Sequence, residues 1–173
     1  MSAVSGNQAL LSTALIRVTN NGNSYTLRTL LDSGSQCSFI SKAAQSKIGC
    51  YKQTNCHHYV SGLNNKVTSI TEHCTLQMKS LHNQFNFTIK CYILPIITNK
   101  LPSMEVSLQG LNLPSDITLA DPKFYSPSEI DILLGADIFW ELIGSRRMTI
   151  GQNQPMLHET QLGWIVAGPI GGN

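Results

Sequence analysis

Residues 12–35 read STALIRVTNNGNSYTLRTLLDSGS. Two alternating runs, 12–19 and 24–31, flank Asn20-Asn21-Gly22-Asn23. Asn-Gly between such runs favours a tight hairpin turn, because both central positions need positive φ. A β-hairpin is therefore predicted. It delivers the chain through the apolar pair Leu30-Leu31 into the polar loop Asp32-Ser33-Gly34-Ser35, so that a buried strand ends in an acid.

Outward from this hairpin, Ser41 is placed to cap a short helix over 42–48, and Gly49 to end it. A second hairpin is expected from Tyr59-Val60 to Thr71, with its turn at 61–65, and a third from 74–79 to 84–94. In the last strand Phe85, Phe87, Ile89, Cys91 and Ile93 share one face. Five prolines between 95 and 128 exclude long elements there, leaving room for a helical turn near 107–111. Order returns with the apolar run 130–134 and a helical segment over 138–143 that Gly144 ends. Strands are expected over 146–150, 156–160 and 162–167. The sum is an all-β domain of eight or nine short strands, with one short helix after the Asp32 loop and one in the C-terminal third.

The chain has 173 residues, enough for one domain; residues 1–9 are predicted as an extension and 10–170 as the domain. With 42% hydrophobic residues it can fill a core without disulfides or a structural metal. Charged residues make up 13%, about half the usual share, and their net charge is only +2. Basic residues are scattered, so no nucleic-acid footprint is expected, and no segment approaches the ~18 consecutive apolar residues of a membrane span, so no membrane partner is expected. A surface so poor in charge suggests one covered by a second copy or by flanking chain. Five cysteines without CxxC spacing argue for a reducing, intracellular setting.

The chain lacks GxSxG, a P-loop, GxGxxG and HExxH. What remains is Asp32-Ser33-Gly34, where the glycine lets backbone N–H groups approach the carboxylate and the serine offers a hydroxyl. Alone it is equally an Asx turn. The surrounding order changes the odds: a hairpin carrying Gly62 near its tip follows, and about a hundred residues later the run Ile130-Asp131-Ile132-Leu133-Leu134 closes on Gly135-Ala136-Asp137.

That order resembles retroviral-type aspartic peptidases. The similarity is closest to the peptidase domain of BEL/Pao retrotransposon polyproteins. It is carried by Leu30-Leu31-Asp32-Ser33-Gly34-Ser35-Gln36, Val60-Ser61-Gly62-Leu63, Leu94-Pro95, Lys100-Leu101-Pro102, Leu119-Ala120-Asp121-Pro122, residues 130–137 and residues 162–169. The resemblance implies a closed retropepsin-like barrel and an aspartic endopeptidase that processes its own polyprotein, in the cytoplasm or in virus-like particles. It also implies a homodimer, since peptide hydrolysis by this chemistry needs two carboxylates and the chain has one Asp-Ser-Gly.

By the same resemblance Asp32, Ser33 and Gly34 are catalytic, with Ser33 bracing the facing loop across the dimer axis. Tyr59, Val60, Ser61, Gly62 and Leu63 belong to a flap over an extended peptide, and Leu134, Gly135 and Asp137 support the site. No cofactor or metal is implied. A decayed, non-catalytic dimeric interaction module with the same fold is the alternative.

Asp137 lacks a following Ser/Thr-Gly, so it is expected to serve the helix N-terminus rather than catalysis. Cys50, Cys56, His57, His58, His73 and Cys74 fit no zinc-finger spacing and are expected as surface histidines and half-buried cysteines. The apolar strand around Trp164 is expected to complete a sheet.

Overall fold

A computed structural model describes residues 8–54, 57–61 and 67–171. In chain order the strands are β1 (Ala9–Leu10), β2 (Thr13–Asn20), β3 (Asn23–Leu31) and β4 (Ser38–Ser41), followed by helix α1 (Lys42–Ile48). Then come β5 (His58–Ser61), β6 (Val67–Ile70), β7 (His73–Lys79), β8 (Asn86–Leu94) and β9 (Ile132–Leu134). Helix α2 (Ala136–Leu142), β10 (Ile143–Thr149), β11 (Met156–Thr160) and β12 (Gly163–Pro169) complete the chain.

The first hairpin forms as expected. Asn21 and Gly22 take φ of 50° and 79°, the twist a two-residue turn needs, and Asn20 pairs with Asn23. Helix α1 also follows the local code: the Ser41 hydroxyl accepts the Ala44 N–H, and Gly49 closes the helix at φ 71°.

Six strands close a barrel in the order β2-β3-β9-β4-β8-β7, with β2 and β7 sealing it through Val18 and Met78. Strand β9 runs parallel to β3, with Leu31 opposite Leu134, and β8 runs parallel to β4. Period-2 alternation turns Ile16, Leu27, Leu31, Ile40, Leu76, Met78, Cys91, Ile132 and Leu134 into one core. Two apolar ends, Leu31 and Leu134, thus lie side by side where the chain enters the Asp32 loop.

A second sheet, β1-β12-β11-β10, packs around Leu10, Val106, Phe124, Leu157 and Val166. Trp164 joins this cluster under the Arg146 guanidinium, so the last strand completes a sheet as the sequence suggested. The proline-rich segment covers the outer face of the first hairpin. Arg28, 7% exposed, fastens it: its Nε meets Asp121 at 2.8 Å, and Nη1 donates to the Leu101 and Ser128 carbonyls. Thr13 Oγ1 donates to the same Asp121 oxygen.

Three expectations are corrected. No helix forms at 107–111; the chain makes a single reverse turn there, closed by Leu111 N–H to Leu108 C=O. Helix α2 begins earlier, at Ala136, and ends before Ile143, because Ile143 is drawn into pairing with Thr160. The described strands number twelve rather than eight or nine. The additions include β1 and β4, which are too short to show a period of their own.

Candidate active site

The Asp32 loop is built from both ends. Asp32 N–H donates to Leu134 C=O at 2.9 Å, which extends the β3–β9 pairing by one rung. The Asp32 carboxylate, half-buried, accepts the Gly34 N–H at 2.9 Å, and Ser35 N–H returns to the Asp32 carbonyl. A Cβ on Gly34 would stand 3.1 Å from the Asp32 carboxylate oxygen, so glycine leaves that approach open. The loop therefore presents one acid in a fixed orientation.

Behind it lies Gly135. The Ala136 N–H donates to Ser35 C=O at 2.7 Å, and Ser35 Oγ donates to Cys37 C=O at 2.7 Å. Ser38, fully buried, accepts the Gly135 N–H at 3.0 Å and donates to Asp137 Oδ1 at 2.7 Å. Asp137 is exposed in the first turn of α2 and serves the helix end and Ser38. It is not a second member of the Asp32 site. Ser38 was not anticipated from sequence, since a serine between a cysteine and a phenylalanine carries no signal of its own.

Replacing Ser38 with alanine should strand the buried Gly135 N–H at a cost of about 2 kcal/mol. A urea titration of Ser38→Ala checks this, with a drop in midpoint at unchanged slope expected.

Ser33 is exposed and makes no hydrogen bond among the described residues. Its hydroxyl is exposed to a partner beyond the described residues.

The hairpin β5–β6 stands beside the loop as a separate two-stranded sheet. Its pleat turns His58 and Val60 toward the barrel, while Tyr59, 70% exposed, and Ser61 turn away. Of the expected flap residues, Val60 thus lies on the barrel side, and Gly62 and Leu63 lie outside the described residues. His58 fastens the hairpin. Its ring stacks on Tyr92 at 4.6 Å, and its Nε2 lies 3.6 Å from Cys37 Sγ. Burial and the nearby Asp137 carboxylate push the Cys37 thiol up from its ordinary range, with Lys90 opposing them.

Between loop and hairpin runs a row of side chains that the sequence reading missed. Leu30 pairs with Leu133, Leu133 with Phe39, and Phe39 with Tyr92, across β3, β9, β4 and β8. Their neighbours Leu31, Leu134 and Ile40 fill the core, so alternation puts this row on the opposite face, next to Asp32. The signal was present as doubled apolar residues, Leu30-Leu31 and Phe39-Ile40, which mark strands covered on both faces. Leu30 and Phe39 are buried, and Leu133 and Tyr92 are the partly exposed members of the row that an extended chain passing the carboxylate would meet.

The Cys/His group behaves differently from expectation. Cys50 and Cys74 are core residues at 4% and 0% exposure, not half-buried, because Cys74 points inward opposite Cys91 across β7–β8. The hydrogen bond from Cys50 and burial push the Cys74 thiol up, and burial does the same to Cys91. His73 is buried against Gln53, and burial lowers its pKa. Cys56 lies outside the described residues. Among the described residues no cluster of His, Cys, Asp or Glu is placed to hold a metal ion, and no helix is long and apolar enough to cross a membrane.

A groove of about 730 Å³ opens elsewhere, around Arg28 and Asp121. Its cations Arg28, Lys100 and Lys123 face an equal number of acids, Asp121, Glu129 and Asp131, so it offers no net charge to a ligand. Compared with known proteins, the chain matches no family model and no curated sequence.

Proposed function

We propose that this chain is one half of a homodimeric aspartic endopeptidase in which Asp32 of each copy supplies one carboxyl of a shared dyad. The observation that carries it is the Asp32 loop: a half-buried carboxylate oriented by the Gly34 N–H and anchored to Leu134, beside an apolar row under a hairpin. The exposed Ser33 hydroxyl, without a hydrogen bond among the described residues, supports the second copy. A two-fold axis beside the loop would bring the two carboxylates together.

The chemistry follows from like charges at close range. Two carboxyls about 3 Å apart hold one proton between them, because ionising both is costly. The charged member takes a proton from water as its oxygen attacks the scissile carbonyl carbon, while the protonated member donates to the carbonyl oxygen. The tetrahedral intermediate then collapses, the C–N bond breaks, and the leaving amine takes up a proton from the dyad. The hairpin covers the peptide and limits bulk water. The resemblance to BEL/Pao peptidases makes the flanking polyprotein the natural substrate.

The test is cleavage of a peptide library at mildly acidic pH across a dilution series. Specific activity should fall on dilution as dimers dissociate, and a statine-type transition-state mimic should block what remains. A protein that dimerises yet cleaves nothing would favour the non-catalytic interaction module.

A further inference from the structure

The apolar row ends at Tyr92 in a group of different character. Lys90 lies two residues before Tyr92 on the same face of β8, and its ammonium sits 5.1 Å from the Tyr92 ring centroid. On the same ring stacks His58, with its planes 16° apart, and the Cys37 thiol lies at His58 Nε2. A cation and an imidazole thus both contact the Tyr92 ring, and the thiol of Cys37, five residues along the chain from Asp32, meets the imidazole. The cation–π contact holds Lys90 in place before any ligand arrives, which lowers the ordering cost of using it.

Opposing charges nearby are engaged elsewhere. Asp137 bonds Ser38, whose side chain leaves β4 on the face opposite Phe39 and Tyr92, although its charge still reaches the Cys37 thiol. Glu72 is paired with Lys52 at 3.2 Å. His73, which also packs against Tyr92, is buried and bonded to Gln53. Lys90 is exposed, and among the described residues its ammonium has no carboxylate partner.

We propose that the Lys90–Tyr92–His58 platform is a specificity-determining site that selects a substrate peptide with an acidic side chain, Asp or Glu, at the position lying over Tyr92. This rests on the peptidase reading above and names a feature of its substrate. Apolar side chains would lie over Leu133, a partly exposed member of the row, and the acid would follow at Lys90. The carboxylate would approach the exposed Lys90 ammonium from the side away from the Tyr92 ring, whose face repels an anion.

The experiment uses the full chain at a concentration where it is dimeric. Peptide pairs identical except for Glu or Gln are scanned through each position around the cut, and the ratio of kcat/KM within each pair is read. A ratio taken on one protein sample cancels any loss of folded material. At one position the wild type should favour Glu about fivefold, the scale of a partly exposed charge pair. In Lys90→Glu the preference at that position should invert, and a Lys-containing peptide should now be cleaved faster than the Glu peptide. Ratios near one at every position, or a Glu preference unchanged by Lys90→Glu, would overturn the proposal while leaving the peptidase intact. A wild-type dimer that cleaves no peptide would overturn the peptidase reading, and this site with it.

Discussion

Asp32→Asn should abolish peptide cleavage, by about a thousandfold or more, while leaving the fold in place. The asparagine Oδ1 can still accept the Gly34 N–H that the carboxylate accepts at 2.9 Å, so the loop keeps its shape. What disappears is the exchangeable proton: an amide can neither take one from water nor share one with the opposite Asp32, and general acid–base help of that kind is worth about 10²–10⁴ in rate. Stability should move by less than about 1 kcal/mol, or about 3 °C in Tm for a domain of this size. The two readouts, steady-state cleavage and thermal unfolding, must therefore separate. A variant that unfolds would implicate Asp32 in the fold alone, and one that still cleaves would remove it from the chemistry.

The second large effect is expected at Gly135. Its φ of −93° is open to any residue, so backbone freedom is not the reason for glycine here. Space is. A Cβ would stand 2.4 Å from the Cys37 carbonyl oxygen and 2.6 Å from that of Ser35. Both are backbone atoms of the loop that carries Asp32, and neither can rotate aside. Gly135→Ala must push that loop outward, at a cost of about 3 kcal/mol from overpacking. Any protein that folds should lose about a hundredfold in kcat/KM, the scale of a displacement near 1 Å at a reacting group. Urea unfolding and cleavage assays on the same sample measure both. A Gly135→Ala protein with the stability and activity of the parent would show that the packing of Gly135 against the loop is dispensable.

Much of this arrangement is legible in the sequence because it is written in local code. Asn21-Gly22 specifies a turn by its backbone conformation, Ser41 and Gly49 bracket a helix by capping, and alternation in residues 85–93 assigns a face. The Asp32 loop is visible through the same kind of signal, an acid and a glycine after an apolar strand. The less legible features depend on partners far along the chain. Strand β4 has four residues and exists because β8 and β9 flank it. Ser38 matters because Gly135 and Asp137 arrive from a hundred residues away.

The platform at Tyr92 is nonlocal in the same way: Lys90 and Tyr92 share β8, Cys37 precedes the strand that pairs parallel to it, and His58 comes from the separate β5–β6 hairpin. Cysteine type also misleads, since an inward strand position decides burial for Cys74 and Cys91 whatever their chemistry suggests. Tyr59 and Ser61 show the limit of naming a hairpin without its pleat. Both lie in the expected element, yet both face away from the barrel.

Mixing the wild type with Asp32→Asn at constant total protein, under conditions where subunits exchange, tests most directly whether one active site needs an Asp32 from each of two chains. Random pairing leaves wild-type dimers at the square of the wild-type fraction, so an equal mixture should retain about a quarter of the activity. A retained activity of about half, falling in proportion to the wild-type fraction, would mean that each chain works with its own Asp32 alone and would contradict the shared dyad.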